Sequence, residues 1–330
     1  MTPPKVAIVV LNWRDSEATF ACLDSLAATD YPNFRAVVVD NASIDGSVDE
    51  LARRPSIDLV RNSVNLGFTG GVNVGLRHAA DSGADYIWVL NSDAVVRPDV
   101  LGKLVAVAEA DPTIGLVSPV FHDPDEPERV EFCVGRFDPL ARYASQTADP
   151  AQARDWQRNF PDEILLLGTA LLVRRALFER IGGLDDQFFA YVEDVDFSLR
   201  SLRAGFRNVA VPDAVVFHKF KQPADNPESC PPYLHYFMSR NYLLLWHKLP
   251  GSLFCKATLW FLRQRLIQLQ RLKDDRAGTD ALLAGLWDGL RRIGGPYVAQ
   301  RRMPWPLDAL FRRCAGAILV LLDGGRANKT

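Results

Sequence analysis

Glu193-Asp194-Val195-Asp196 puts three carboxylates in four residues. Like charges so close repel, which raises at least one pKa and suits it to work as a general base. The segment continues as Phe197-Ser198-Leu199-Arg200, a helical pattern, and acidic residues at a helix start also serve as ordinary dipole partners. A second group, Asn91-Ser92-Asp93, ends the apolar run Tyr86–Leu90. A carboxylate at a buried strand end suits a hard cation, which takes one or two carboxylates plus phosphate oxygens and neutralises a diphosphate leaving group. Asn12 ends the run Val6–Leu11, and Asp40, Asn41 and Ser43 end Ala36–Val39. Each of these polar residues alone also fits a turn or helix cap. Asn65-Leu66-Gly67-Phe68-Thr69-Gly70-Gly71-Val72-Asn73 reads as a glycine-rich turn entering a helix, where backbone can approach an anionic ligand closely. His218, just after Ala214–Phe217, is the one histidine of five in a position to bind a metal or phosphate.

These residues need a frame. The first half alternates short apolar runs with helical patterns: helices near Ser16–Ala28, Ser47–Arg53, Gly71–Asp81 and after Pro98, and further runs at Leu59–Val60 and Ile114–Val117. Continuous apolar strands between helices predict an α/β fold, a mostly parallel sheet with helices on both faces. Ligands of such sheets sit beyond the carboxyl ends of the strands, where Asn12, Asp40 and Asn91 fall. No Gly-x-Gly-x-x-Gly follows the first strand, so a dinucleotide-binding fingerprint is absent. Residues 123–163 read as long connections forming an acceptor-side wall. A second patterned block spans Ile164–Val216, and Tyr233–Ile293 is helical and rich in Leu, Trp and Arg, before Gly294, Gly295, Pro296, Pro304 and Pro306 break the pattern.

The chain has 330 residues, 48% of them hydrophobic and 24% charged, which excludes disordered and fibrous classes. Five scattered cysteines with no Cys-x-x-Cys pair argue against a zinc ribbon, a thioredoxin-type site or a disulfide scaffold, and for reduced thiols in the cytoplasm. The first apolar run is too short for a secretory signal, and no stretch reaches the roughly 18 apolar residues of a spanning helix. Net charge is −2, but residues 251–330 hold fourteen Lys and Arg against six Asp and Glu. A basic tail on an acidic body predicts contact with something anionic. No nucleic-acid module accompanies it, so an anionic membrane surface is the expected partner; a packed helical bundle or a homo-oligomer interface is the alternative use.

The segments taken together resemble glycosyltransferase family 2 of GT-A fold, most closely its bacterial rhamnosyltransferase-like branch, over about residues 5–250. The marks are Val9-Val10-Leu11-Asn12-Trp13, Val39-Asp40-Asn41-Ala42-Ser43-Ile44-Asp45-Gly46-Ser47, Asn65-Leu66-Gly67-Phe68 with Gly70, Gly71 and Asn73, Leu90-Asn91-Ser92-Asp93, Gly168-Thr169-Ala170 with Arg174 and Arg175, and Gly182-Gly183-Leu184-Asp185 leading to Phe188-Phe189 and the carboxylate cluster. The resemblance implies an inverting transfer of a sugar, rhamnose among the candidates, from a UDP- or dTDP-sugar to a glycan or lipid-linked cell-envelope acceptor, with Mn or Mg as cofactor. It implies a catalytic domain over 1–250, its nucleotide-sugar half about 1–120 and acceptor half about 121–250, and a basic helical region over 251–330. The expected location is cytoplasmic, peripheral on the cytoplasmic face of the membrane.

By position, Asp194 matches the catalytic base, with Glu193 beside it. Asp40 would contact the nucleotide base, and Asn12, Asn41, Asn65, Gly70 and Asn91 would line the donor site. Asn91-Ser92-Asp93 falls where the family has Asp-x-Asp; the first Asp is replaced, which leaves Asp93 as metal ligand, with His218 as a further contact. Two other readings stand beside this one. A sugar nucleotidyltransferase needs a glycine-rich basic loop after the first strand, and Asn12-Trp13-Arg14-Asp15 has no glycine. A non-catalytic scaffold that only binds nucleotide sugar has no need of both Asp93 and Asp194.

Overall fold

The computed structural model describes residues 2–138, 143–220, 230–251, 256–272 and 274–324. The first four strands are β1 (Val6–Asn12), β2 (Phe34–Asp40), β3 (Ile57–Arg61) and β4 (Tyr86–Asn91). β1, β2 and β4 are almost wholly buried on both faces, which is why they read as unbroken apolar runs. They pair in parallel in the order β3-β2-β1-β4. The register sets Asn12 opposite Asp40 and Leu11 opposite Asn91, so three polar strand ends stand side by side on one rim.

Between them run α1 (Ser16–Ala27), α2 (Ser47–Leu51) and α3 (Gly67–Asp81). The Asp15 carboxylate caps α1 by accepting the Ala18 N–H, and Thr19, Cys22, Leu23 and Leu26 form its buried stripe at helical spacing. α3 packs on the opposite sheet face, where Val72, Leu76 and Ala79 meet Val9, Val37 and Val39. It begins four residues earlier than the sequence predicts. Gly71 and Gly75 therefore lie inside the helix, and a Cβ at these positions would sit 2.4 Å from Leu11 Cδ1 and 2.2 Å from Val9 Cγ1. These glycines let the helix approach β1 closely.

Next come β5 (Val95–Val96), α4 (Val100–Ala110), β6 (Ile114–His122), β7 (Val130–Phe132), β8 (Val134–Asp138), β9 (Tyr143–Thr147), α5 (Pro150–Asn159), β10 (Ile164–Leu165), β11 (Ala170–Arg174), α6 (Arg175–Ile181), α7 (Glu193–Arg203) and β12 (Arg207–Phe217). β11 runs antiparallel between β4 and β6, β6 pairs in parallel with β12, and β12 pairs antiparallel with β5. The sheet is thus parallel through β3-β2-β1-β4 and mixed beyond it. The stretch expected as connections, 123–163, instead holds β7, α5 and most of a small antiparallel sheet, ordered β10-β8-β9.

The helices beyond residue 230 are α8 (Pro232–Lys248), α9 (Lys256–Arg271), α10 (Arg276–Leu290) and α11 (Trp305–Gly324). Pro304 and Pro306 flank the start of α11 and do not break it, because a helix's first turn tolerates missing N–H donors. The chain divides into two compact units. One carries the large sheet and resumes over Glu193–Phe220; the other joins Asp186–Val192 to the C-terminal helices.

Within this second unit Arg240 and Asn241 of α8 are fully buried. Arg240 donates to the Gln187 and Phe188 carbonyls, and the Asn241 amide donates to those of Ala190 and Tyr191 and lies within bonding reach of that of Phe188. Phe189, Tyr191 and Val192 all have positive φ (64°, 69° and 71°). Such backbone is costly for non-glycine residues and persists only when its surroundings over-determine it, as these hydrogen bonds do.

Candidate active site

The rim is one hydrogen-bonded network. Asn12 is fully buried, and its Nδ2 donates to Asp40 Oδ1 at 2.9 Å and lies within bonding reach of Ser43 and Ser47 Oγ. Its Oδ1 accepts from Thr19 Oγ1 at 2.8 Å. The amide is therefore committed to its protein neighbours, and its role is to fix Asp40. The other Asp40 oxygen accepts the Ser43 N–H at 3.1 Å. Asn41 is as deeply buried. Its amide donates to Asn65 Oδ1 and the Gly67 carbonyl, and its carbonyl oxygen accepts from Asn62 Nδ2 and the Leu66 N–H. Asn41 thus staples the turn that opens α3. Gly70 lies buried within that helix, past the turn.

Asn91 closes β4 with its Oδ1 buried and without a hydrogen-bond partner. The short β5 follows Asp93 by one residue, and His218 follows β12 directly. Their antiparallel pairing, Phe217 opposite Val95, brings Asp93 Oδ1 to 3.2 Å from His218 Nε2. Phe121 and Phe220 pack edge-on against the imidazole, whose Nδ1 is a second buried atom without a partner. The Asp93 carboxylate and the His218 imidazole, from two different strand ends, with an unsatisfied amide oxygen two residues before Asp93, are donor types that fit Mn or Mg completed by phosphate oxygens. Among the described residues no three His, Cys, Asp or Glu side chains gather into a cation site.

The acidic cluster opens α7. Asp194 Oδ2 accepts the Gly168 N–H at 3.1 Å, and Oδ1 accepts the Val195 N–H at 2.8 Å. Burial raises its pKa, and the two backbone donors act against that rise. Asp196 is spent on Arg200, at 2.7 Å, and Arg200 also donates to the Ile181 and Gly183 carbonyls. Of the three carboxylates, Asp196 is thus structural.

The next residue, Thr169, accepts the Asn91 N–H through its carbonyl at 2.8 Å. Two consecutive residues, Gly168 and Thr169, therefore tie the Asp194 carboxylate to the turn that carries Asp93. Gly168 and Thr169 stand among the recognisable sequence marks, but their backbone role has no signature in side-chain type. Ser47 closes one of the recognisable marks, whereas Thr19 and Asn62, which orient Asn12 and Asn41, carry no sequence signal that separates them from surface residues.

Residues 3–229 match the model of a family described as glycosyltransferase-like family 2. The chain belongs to this family. This glycosyltransferase is 31% identical over 242 residues to the N-acetylglucosaminyl-diphospho-decaprenol L-rhamnosyltransferase of Mycobacterium tuberculosis, a match covering 65% of this chain and 75% of that one. It is 24% identical over 276 residues to the dTDP-rhamnosyl transferase RfbF of Shigella flexneri, covering 81% and 90%. Among solved structures, the mannosyltransferase PcManGT of Pyrobaculum calidifontis, in complex with GDP-Man and Mn2+, superposes with a TM-score of 0.54 at 20% identity, covering 97% of this chain and 81% of that one. The glycosyltransferase has the GT-A fold and is rhamnosyltransferase-like.

The rim network makes one role directly testable. Asp40, only 3% exposed, is locked by Asn12 and Ser43 at the strand end, where a carboxylate can accept the ring N–H of uracil or thymine. Asp40→Ala is expected to weaken binding of UDP or dTDP by about 1–3 kcal/mol, the scale of a charge-assisted hydrogen bond. Isothermal calorimetry on a variant with a native near-ultraviolet circular dichroism spectrum measures this. Unchanged affinity for both nucleotides removes Asp40 from the base contact.

Proposed function

We propose that this glycosyltransferase moves a sugar, rhamnose first among the candidates, from a dTDP- or UDP-sugar to a hydroxyl of a lipid-linked glycan intermediate of the cell envelope, with inversion at the anomeric carbon. The observation that carries the reading is the Gly168-Thr169 link, which fastens a half-buried, backbone-oriented carboxylate and the Asp93 turn to two consecutive residues. Glycosyl transfer needs a base for the acceptor proton and charge stabilisation for the leaving group, held at fixed separation.

In this scheme Asp40 binds the nucleobase, and Asn12 and Asn41 fix the backbone around it. Asp93 and His218 would hold the divalent cation, and Asn91 Oδ1 would be a further donor from the same turn as Asp93. When bound, the ion neutralises charge on the departing diphosphate. Asp194 takes the proton from the acceptor hydroxyl as that oxygen attacks the anomeric carbon from the face opposite the leaving group. The rhamnosyl relatives support the choice of sugar, and the decaprenol-linked relative supports the class of acceptor.

The test is an assay with dTDP-rhamnose and Mn, using a polyprenyl-diphosphate-linked N-acetylglucosamine acceptor and reading product configuration by NMR. An inverted rhamnosyl product is expected. A retained anomeric configuration overturns the mechanism, and donor binding without turnover across a panel of nucleotide sugars and acceptors supports a scaffold instead.

The C-terminal helices offer a route to such an acceptor. No helix among the described residues is long and apolar enough to cross a membrane. Yet Leu259 and Trp260 of α9, with Trp305 and Leu310 of α11, are exposed, in a region rich in arginine. Tryptophan and arginine suit a membrane–water interface, and each basic residue near an anionic surface contributes about 1 kcal/mol. We expect sedimentation with anionic vesicles at low salt and release at about 0.5 M salt, where the Debye length has shrunk to a few ångströms. Replacing Trp260 and Trp305 with Ser is expected to weaken the sedimentation. An intact protein that ignores anionic vesicles at low salt has a tail that is structural only. Truncation after Leu249 is a poor test, because α10 packs its Ala281 and Ala284 against Tyr236 and Phe237 of α8.

A further inference from the structure

Glu193 is a buried ionisable group to which the proposed mechanism gives no task. It is the first residue of α7, is 6% exposed, and has an Oε2 atom with no hydrogen-bond partner. It lines a small cavity together with Asp194. The remaining wall is apolar: Phe68 and Leu76 of α3, Val89 of β4, Leu171 and Val173 of β11, and Leu184, with Phe197 of α7 and the Gly168 backbone completing it. Adjacent carboxyl groups in one such cavity cannot both stay ionised near neutrality without compensation, because each loses hydration and repels the other.

The compensation is unequal. Asp194 receives two backbone N–H donors, one from Gly168 and one from Val195, and these stabilise a carboxylate. Asp196 is neutralised by Arg200. Among the described residues no cation lines the cavity from α3, β4, β11 or the Leu184 segment. Glu193 is therefore the group on which a proton costs least.

We propose that Glu193 is the proton-holding partner of Asp194: a neutral carboxylic acid that leaves Asp194 as the single charge of the pair and so fixes its basicity. Glu193 is a positioning residue in this account, and it keeps its own proton throughout the reaction. The proposal rests on the reading of Asp194 as base, but its physical core concerns Glu193 alone. Burial first, and the Asp194 charge second, push the Glu193 carboxyl from its ordinary 4.5 up to about 8.

The sign of the consequence follows. The folded protein holds a proton at Glu193 that the unfolded chain releases near pH 4.5, so the stability from this site is fully present below about 4.5 and is lost as pH rises through about 8. Glu193→Gln imitates the neutral acid at every pH. Between pH 5 and 8.5 the wild-type melting temperature is expected to fall relative to that of Glu193→Gln, and equal slopes overturn the proposal. The alkaline side of the wild-type kcat profile is expected to carry an inflection, from ionisation of Glu193, that Glu193→Gln lacks; persistence of the inflection in the variant also overturns the proposal.

Should Glu193→Gln fail to fold, carboxyl carbon-13 NMR of the glutamate-labelled wild type gives the answer without a variant. One glutamate titrating well above the others supports the proposal, and a set titrating together near 4–5, the ordinary range for glutamate, refutes it. Aspartate is invisible in that spectrum, so the result is independent of whether Asp194 is the base.

Discussion

Asp194→Asn is expected to lower turnover by about 10²–10⁴-fold while donor affinity stays near that of the wild type. The amide keeps the shape of the carboxylate, and its oxygen can still accept one of the two backbone N–H groups, that of Gly168 or that of Val195. What it loses is the proton-accepting charge. Because burial raises the Asp194 pKa, the acid limb of the wild-type rate profile should lie above the usual aspartate range, and it should disappear in the residual activity of the variant. Steady-state kinetics with donor and acceptor varied separately, together with nucleotide calorimetry, check both halves. Near-normal turnover would falsify the assignment. A loss of turnover with an equal loss of donor affinity moves Asp194 from base to binding residue.

The parts of this site legible in the sequence are those that buried strands announce. β1, β2 and β4 are covered on both faces and read as apolar runs, and the polar residue ending each run marks the rim. Strand direction is less visible. β11 reads like any other apolar run, but it lies antiparallel between β4 and β6, and no local pattern encodes that choice.

The glycines of 67–71 suggest an open turn by composition. Inside the fold Gly71, with Gly75 beyond it, serves helix-to-sheet contact, a tertiary demand that overrides helix propensity. Residues 123–163 hide their structure for another reason: β7–β9 are three to five residues long, and α5 buries only Ala153, so neither gives a sustained periodicity. The types of the site residues were readable, but their partners were not. Asn12 looks like a ligand contact and is wholly engaged by Asp40, Ser43, Ser47 and Thr19. His218 meets Asp93 only because the two-residue strand β5 pairs with the end of β12.

That pairing makes the second large effect specific. Mn is expected to strengthen binding of UDP or dTDP to the wild type by about tenfold or more, equivalent to at least about 1.4 kcal/mol, and Asp93→Ala is expected to abolish the gain. The two partners should not behave alike. His218 is pinned between aromatic rings and nearly buried, whereas the Asp93 carboxylate is half exposed to solvent. In the proposed scheme Asp93 would supply the charge and His218 a fixed direction. Asp93→Asn, which keeps an oxygen without the charge, should therefore retain part of the enhancement, and His218→Ala should reduce it less than Asp93→Ala. Calorimetry of each nucleotide with and without Mn across the three variants reads this order. Metal enhancement that survives intact in Asp93→Ala puts the ion elsewhere on the rim, and the orphaned Asn91 oxygen then needs another partner.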